Sequence, residues 1–339
     1  LGARIYAVEH NGQLAWTWDF VKEVVGFEGN RWKGEDWLAF RGDRVTWRDH
    51  FVCSRDICLV GKTVVMPAGG RTVFVKDAGD GPRLCAVGVI PSHAGKEFPA
   101  TFGQSADKAG NVYVQWHRRD NAGRVEVLQL QEDAVQTDFV VGTETSIEKH
   151  GLLSFAPVSI RGADVYRVRP EQGVGLCRHS RLTDQEAGRA STEVLNAAAG
   201  ISPVILTSDH AVYGGLDGNL YIVPLDGGAT RVLKTGFGKA ITAPLAVCDR
   251  SIYAGSEDGY LYVFRPGGKA ELPSQALDLS AIRSPITGPW ADPAFDWYTN
   301  YGDFSGTNAN QQNLEPPLRM RWARRLQGTV KHLPVCGGG

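Results

Sequence analysis

The segment CSRDIC sets Cys53 and Cys58 apart by four intervening residues. A metal centre would more often show Cys-x-x-Cys with a second pair, and a covalent haem needs Cys-x-x-Cys-His; the chain contains neither. The spacing therefore leaves two readings: a disulfide between Cys53 and Cys58, as an oxidising compartment permits, or buried thiols in strands. Cys177, Cys248 and Cys336 fall within or beside apolar runs and read as structural. The eight histidines are scattered, with no His-x-x-x-His and no His-Glu pairing at ligand spacing, so no catalytic zinc is expected. No glycine-rich phosphate loop and no serine-nucleophile elbow occurs. The sequence thus nominates no catalytic residue, no metal ligand and no cofactor-binding residue.

Two groups of residues are better suited to binding than to reaction. Five of nine tryptophans (Trp16, Trp18, Trp32, Trp37 and Trp47) lie in the first 47 residues, three of them in a segment, 20–50, that interrupts the surrounding pattern. Trp32, Trp37 and Trp47 could form a partner-binding patch, because tryptophan is enriched at interface hot spots; the alternative is packing between neighbouring sheets. The run RMRWARRLQG places Arg319, Arg321, Arg324 and Arg325 around Trp322. On a strand, alternate residues share a face and would expose a positive stripe; Arg321 and Arg324 are the candidate partner-binding residues, against the alternative of a solvated face. The tripeptide Arg41 to Asp43 (RGD) reads as a turn.

The elements that must carry these residues are hairpins. VYGGLDGNLYIVPLDGG, residues 212 to 228, has strand formers on either side of Asp217-Gly218, a pair that supplies positive φ in a tight turn. IYAGSEDGYLYVFRPGG repeats the design around Asp258-Gly259, and IYAVEHNGQLAWTWDF repeats it around Asn11-Gly12. Gly218 and Gly259 are accordingly expected at positive φ. Weaker copies begin at Val64, Val112 and Val165. Upstream of several copies lies an apolar run with a proline (FAPVSI, ISPVIL, TAPLAV), compatible with proline as a strand's first residue, so each unit holds at least three strands. Only two short stretches, Val21 to Val25 and Thr183 to Ala199, suggest helix.

Residues 6, 65, 113, 166, 213 and 253 occupy equivalent positions, 40 to 59 residues apart, which fits propeller repeats of roughly 40 to 50 residues. The wrap-around step of 92 residues leaves room for another unit, and WLAFRGDRVTW within the first step reads as a hairpin of its own. The expectation is an all-β fold, a β-propeller of about seven four-stranded blades, with six to eight allowed. The closing VKHLPVCGGG resembles a proline-bearing strand, and the opening LGARIYAV resembles the hairpin that follows one. The two ends are therefore expected to share a blade and close the ring. Residues 1–339 would form one propeller domain of a longer chain, with 271–329 as a linker, an opening segment or an additional blade.

Composition agrees with a folded, water-exposed protein. The chain has 339 residues, 42% of them hydrophobic and 22% charged, with a net charge of −1. A balanced charge argues against a general nucleic-acid binder. No apolar run approaches the roughly 20 residues of a membrane helix.

The segment from Asp296 to Gly339 carries Tyr301-Gly302-Asp303, Pro316-Pro317-Leu318, Trp322, Gly328 and Leu333-Pro334-Val335. In this order the features resemble the opening sequence of pyrroloquinoline-quinone-like (PQQ-like) β-propeller repeat proteins, and the hairpins at Tyr213 and Tyr253 look like that family as well. Here the opening segment stands at the end of the chain, so the propeller looks circularly shifted. The resemblance implies an exported bacterial protein, periplasmic or extracellular, that binds a protein partner or extracellular ligand. Quinoprotein enzymes of this kind hold PQQ with calcium beneath a disulfide of adjacent cysteines. This chain has no Cys-Cys dipeptide and only a degenerate echo of the tryptophan-docking motif, at Ala7, Glu9, Gly12 and Trp16. A non-catalytic binding scaffold without cofactor is the favoured expectation, with PQQ and calcium in a redox enzyme or redox-partner module as the alternative.

Overall fold

A computed structural model describes residues 4–9, 11–25, 57–68, 71–89, 100–117, 123–131, 134–144, 157–180, 191–236, 238–248, 250–267, 309, 311, 313–314 and 317–326. The chain divides into two compact units, residues 1–149 and 150–339.

In the first unit a hairpin of β1 (Arg4–Val8) and β2 (Leu14–Asp19) runs into a single π-helical turn at Val21–Val25. A four-stranded sheet follows from β3 (Cys58–Val60), β4 (Thr63–Ala68), β5 (Arg71–Asp77) and β6 (Pro82–Val89). A second contains β7 (Ala100–Ala106), β8 (Asn111–His117), β9 (Gly123–Gln131) and β10 (Ala134–Glu144). The second unit holds three more sheets. They are β11 (Ser159–Arg161), β12 (Asp164–Val168), β13 (Leu176–Ser180) and β14 (Ser191–Asn196); β15 (Ile205–Leu206), β16 (His210–Gly214), β17 (Asn219–Pro224) and β18 (Arg231–Lys234); and β19 (Ala246–Cys248), β20 (Ser251–Gly255), β21 (Tyr260–Pro266) and β22 (Leu318–Arg325). Every four-stranded sheet is an antiparallel meander in sequence order, the topology of a propeller blade. The fold is all-β, with five such sheets and one hairpin among the described residues.

Stacking of consecutive sheets explains why the strands read as nearly unbroken apolar runs, since both faces are buried. In the first unit Val64, Met66, Val73 and Val75 pack toward Ile5, Trp18 and Phe20 of the hairpin. The alternate residues Val65 and Phe74 pack toward Val112, Val114 and Leu128 of the next sheet. In the second unit Tyr213, Tyr221 and Val223 meet Tyr166, Val168 and Leu176. Val212, Leu220 and Ile222 face the other way, into a cluster with Ile252, Tyr262 and Phe264. This is the period-two alternation of a strand used on both sides.

First strands of neighbouring sheets also lie side by side within each unit, β3 with β7 and β11 with β15. Polar bonds join the sheets there: the Gln104 amide donates to the Val65 carbonyl, the Ser159 hydroxyl to the Val204 carbonyl, and Arg161 Nη2 to the Ser208 carbonyl at 2.7 Å.

The hairpin turns are one design used four times. Glu9, Asp107, Gly215 and Ser256 each donate their N–H to the carbonyl four residues on, and accept from the N–H of a glycine three residues on. Those glycines, Gly12, Gly110, Gly218 and Gly259, have φ of 84°, 89°, 81° and 83°. The expectation for Gly218 and Gly259 holds. A carboxylate reinforces three of the turns: Tyr113, Tyr221 and Tyr262 donate their hydroxyls to Asp107, Asp217 and Asp258. The hairpin of β1 and β2 has Ala15 where the tyrosine would stand.

Two expectations need correction. Ser191–Asn196, part of the stretch suggested as helix, is β14, because its alternating side chains complete the ladder on β13. Prolines 157, 203 and 244 sit two residues ahead of their strands, where the missing N–H interrupts no ladder bond. The opening-like segment contributes Leu318–Arg325 as the fourth strand of the last sheet. The WLAFRGDRVTW hairpin and the closing residues 330–339 lie outside the described residues.

Candidate interaction surface

The arginine run forms β22, which among the described residues ends its sheet, with only β21 bonded beside it. Its register pairs Arg325 with Tyr260, Arg324 with Leu261, Ala323 with Tyr262 and Trp322 with Val263. It then skips a residue, so that Met320 pairs with Phe264, Arg319 with Arg265 and Leu318 with Pro266. Arg321 is the extra residue of a β-bulge.

The bulge changes the face on which each side chain lies. Strict alternation would put Arg319, Arg321 and Arg325 together. Instead Leu318, Met320 and Ala323 follow Tyr262 and Phe264 into the core, while Arg319 and Arg324 take the side of Arg265. Arg319 and Arg325 are exposed, and Arg321 and Arg324 are partly exposed. Residues 318–326 include four arginines and no carboxylate. Directly opposed like charges such as Arg265 and Arg319 cost roughly 0.2–1 kcal/mol, a penalty that a bound carboxylate reverses. Arg265 Nε donates to Ser251 Oγ at 2.9 Å, which fixes its stem. Beside the strand's end Leu326 is exposed, and its N–H donates to the Gly259 carbonyl at 2.6 Å.

The outer strand of the preceding sheet has the same character. Arg231 and Lys234 of β18 are exposed, and that strand carries no acid. By contrast β14 balances its charge, Glu193 accepting from Arg178 across the ladder. Charge on an outer strand resists unwanted pairing, and it also selects which strand or side chain approaches.

Of the other residues singled out in the sequence, Trp32, Trp37, Trp47 and Cys53 lie outside the described residues. Cys58 is buried in β3. Trp18 is buried between the first hairpin and the next sheet, so it serves packing rather than recognition. Cys248 is disulfide-bonded.

Two features were not legible in the sequence. Tyr6 is 58% exposed, whereas Tyr113, Tyr166 and Tyr213 at equivalent positions are at most 2% exposed. Together with Val8 and Leu14 it gives the first hairpin an apolar outward face. The second feature is a buried polar pair: Arg167 Nε donates to His179 Nε2 at 3.2 Å, and His179 Nδ1 lies 2.9 Å from Thr192 Oγ1. Since a guanidinium only donates, His179 accepts at Nε2 and carries its proton on Nδ1. Burial, with the charges of Arg167 and Arg169, lowers its pKa to about 3, so the ring is neutral at neutral pH. A buried neutral imidazole of this kind is a structural bridge between β12, β13 and β14.

Carboxylates in the turns are likewise occupied. Burial raises the pKa of Asp217, but hydrogen bonds from Tyr221 and Asn219 outweigh it and leave the carboxyl below its ordinary range. Burial and the bond to Asp217 push Tyr221 up to about 12. Among the described residues no three His, Cys, Asp or Glu side chains converge on one point.

No family model and no curated protein matches the chain. Among solved structures, BamB from Moraxella catarrhalis is similar at 16% identity and a TM-score of 0.44, over 64% of this chain and 58% of that one. PorZ, a surface component of the type-IX secretion system of Porphyromonas gingivalis, is similar at 15% identity and a TM-score of 0.40, over 61% of this chain and 26% of that one. The matched region is thus less than two thirds of either structure.

Proposed function

We propose that this chain is a non-catalytic binding scaffold of the PQQ-like β-propeller type, part of an exported protein, which presents arginine-rich outer strands to an acidic protein partner. The observation that carries the reading is β22, an outer strand with four arginines and no carboxylate. Guanidinium groups suit this role because their fork of donors matches a carboxylate in two bonds. Export is supported by the disulfide at Cys248, a bond that oxidising compartments preserve. The absence of helices long and apolar enough to cross a membrane among the described residues is consistent with a module that works in water.

The test is charge reversal at Arg319, Arg321 and Arg325 in protein purified from its native source, with cross-linked partners compared between variant and wild type. Loss of an acidic partner, with the thermal transition unchanged, is expected. A partner retained at full yield would sink the assignment of this edge. A stoichiometric quinone band in the visible spectrum would overturn the non-catalytic reading itself.

A further inference from the structure

The inner strand of the middle sheet in the second unit is not left bare. Leu206 of β15 pairs in parallel with Ala309, a residue 75 positions beyond Lys234, the end of that sheet's last strand. Ala309 rests against the cluster that contains Leu206, Ala211 and Tyr213. Five residues on, Leu314 is 1% exposed within the cluster of Ile205, Ile241, Leu245 and Leu318. Between them Asn313 reaches the turn after β15. With its amide nitrogen toward the carboxylate, it donates to Asp209 Oδ2 at 2.8 Å and to Ser208 Oγ at 3.1 Å.

That turn is organised independently of the segment it receives. Thr207 N–H donates to the His210 carbonyl at 2.9 Å, Thr207 Oγ1 donates to Asp209 Oδ1 at 3.1 Å, and His210 Nδ1 lies 2.8 Å from the same carboxylate oxygen. Arg161 from the neighbouring sheet donates to the Ser208 carbonyl. The β15 edge, the polar turn and the apolar slot thus each hold one residue of the stretch 309–314: Ala309, Asn313 and Leu314. This is how a sheet captures a peptide by strand addition, the backbone supplying affinity and the pockets supplying sequence preference.

We infer that the β15 edge, the Thr207–His210 turn and the Leu314 slot form a strand-accepting site for an extended segment with an Asn-Leu pair, and that Ala309–Leu314 is a latch that keeps the site filled in cis. A tethered occupant acts at an effective concentration on the order of millimolar, so an external segment of similar affinity is largely excluded while the latch is seated. The site shares Leu318 with β22 but uses none of its arginines, so either assignment can fail without the other.

The probe is a fluorescent peptide of residues 306–317, added to the whole protein and to two variants, Leu314→Ala, which empties the slot, and Asn313→Ala, which releases the turn. Binding to wild type is expected to be at least about tenfold weaker than to Leu314→Ala, as the tether dictates. Asn313→Ala should give an intermediate affinity, and a peptide with its own Asn-Leu pair changed to Ala-Ala should bind neither variant. Hydrogen exchange at Leu206 and its neighbours, slow in wild type, should quicken in Leu314→Ala and slow again with peptide. Equal peptide binding by all three proteins would overturn the latch. No binding to an Asn313→Ala protein with native circular dichroism and quickened exchange would overturn the acceptor site.

Discussion

At Gly218 two demands coincide. Its φ is 81°, and a Cβ built there would come within 2.6 Å of the Gly238 backbone and 2.7 Å of the Lys239 carbonyl. Gly12 has the same φ with nothing within 4 Å of a built Cβ. Left-handed backbone alone costs about 1–2 kcal/mol for a residue with a side chain. Gly12→Ala is therefore expected to lower stability by about 1 kcal/mol and Gly218→Ala by clearly more, since the 238–239 backbone must also move. Urea unfolding of the two variants checks this, and equal losses would mean that the close approach is unimportant. His179 gives a second prediction. Its folded pKa of about 3 lies below the ordinary 6.5, so the unfolded chain binds the extra proton between those values. Stability contributed by the neutral ring is complete above about pH 6.5 and is lost as pH falls toward 3, by roughly 1 kcal/mol per unit at the steepest. His179→Gln should cost stability at pH 7 and flatten that acid slope. An unchanged slope would remove His179 as its source.

Among the elements, β22 shows how one residue decides which side chains face the core. Met320 and Leu318 pack inward only because Arg321 is accommodated as a bulge. Deleting Arg321 removes the extra residue, so plain alternation keeps Leu318 and Met320 on the core face. Both the deletion and Arg321→Ala are therefore expected to stay within about 1 kcal/mol of wild type. Thermal unfolding checks this, and a loss of several kcal/mol on deletion would mean that the bulge is needed for more than register. The same element shows the reach of sequence reading. RMRWARR was legible as a basic strand, but the bulge, and with it the membership of each face, depends on the pairing with Tyr260–Pro266.

For the chain as a whole, Cys248, the last residue of β19, is disulfide-bonded. Reduction is expected to lower stability by about 2–4 kcal/mol, the usual worth of a native disulfide. Denaturation with and without reductant under non-denaturing pre-incubation measures this. Coincident curves, with mass spectrometry confirming reduction, would show that the bond is dispensable.

What the sequence determined by itself was local and repetitive: strand alternation, Asp-Gly and Asn-Gly turns, and the glycines held at positive φ. These follow from chain stereochemistry within a few residues, so each of the copies at Asn11, Asp217 and Asp258 announced itself. What only the tertiary structure decided was non-local. Tyr6 and Tyr213 occupy the same place in their hairpins, yet one is exposed and the other buried, because burial depends on which sheet stacks above. His179 became a buried bridge because β12 and β14 flank it, and Ala309–Leu314 found the β15 edge across a sequence distance that no periodicity can report. Partners of that kind are chosen by packing and by the polar groups left to satisfy, and these exist only once the sheets have assembled.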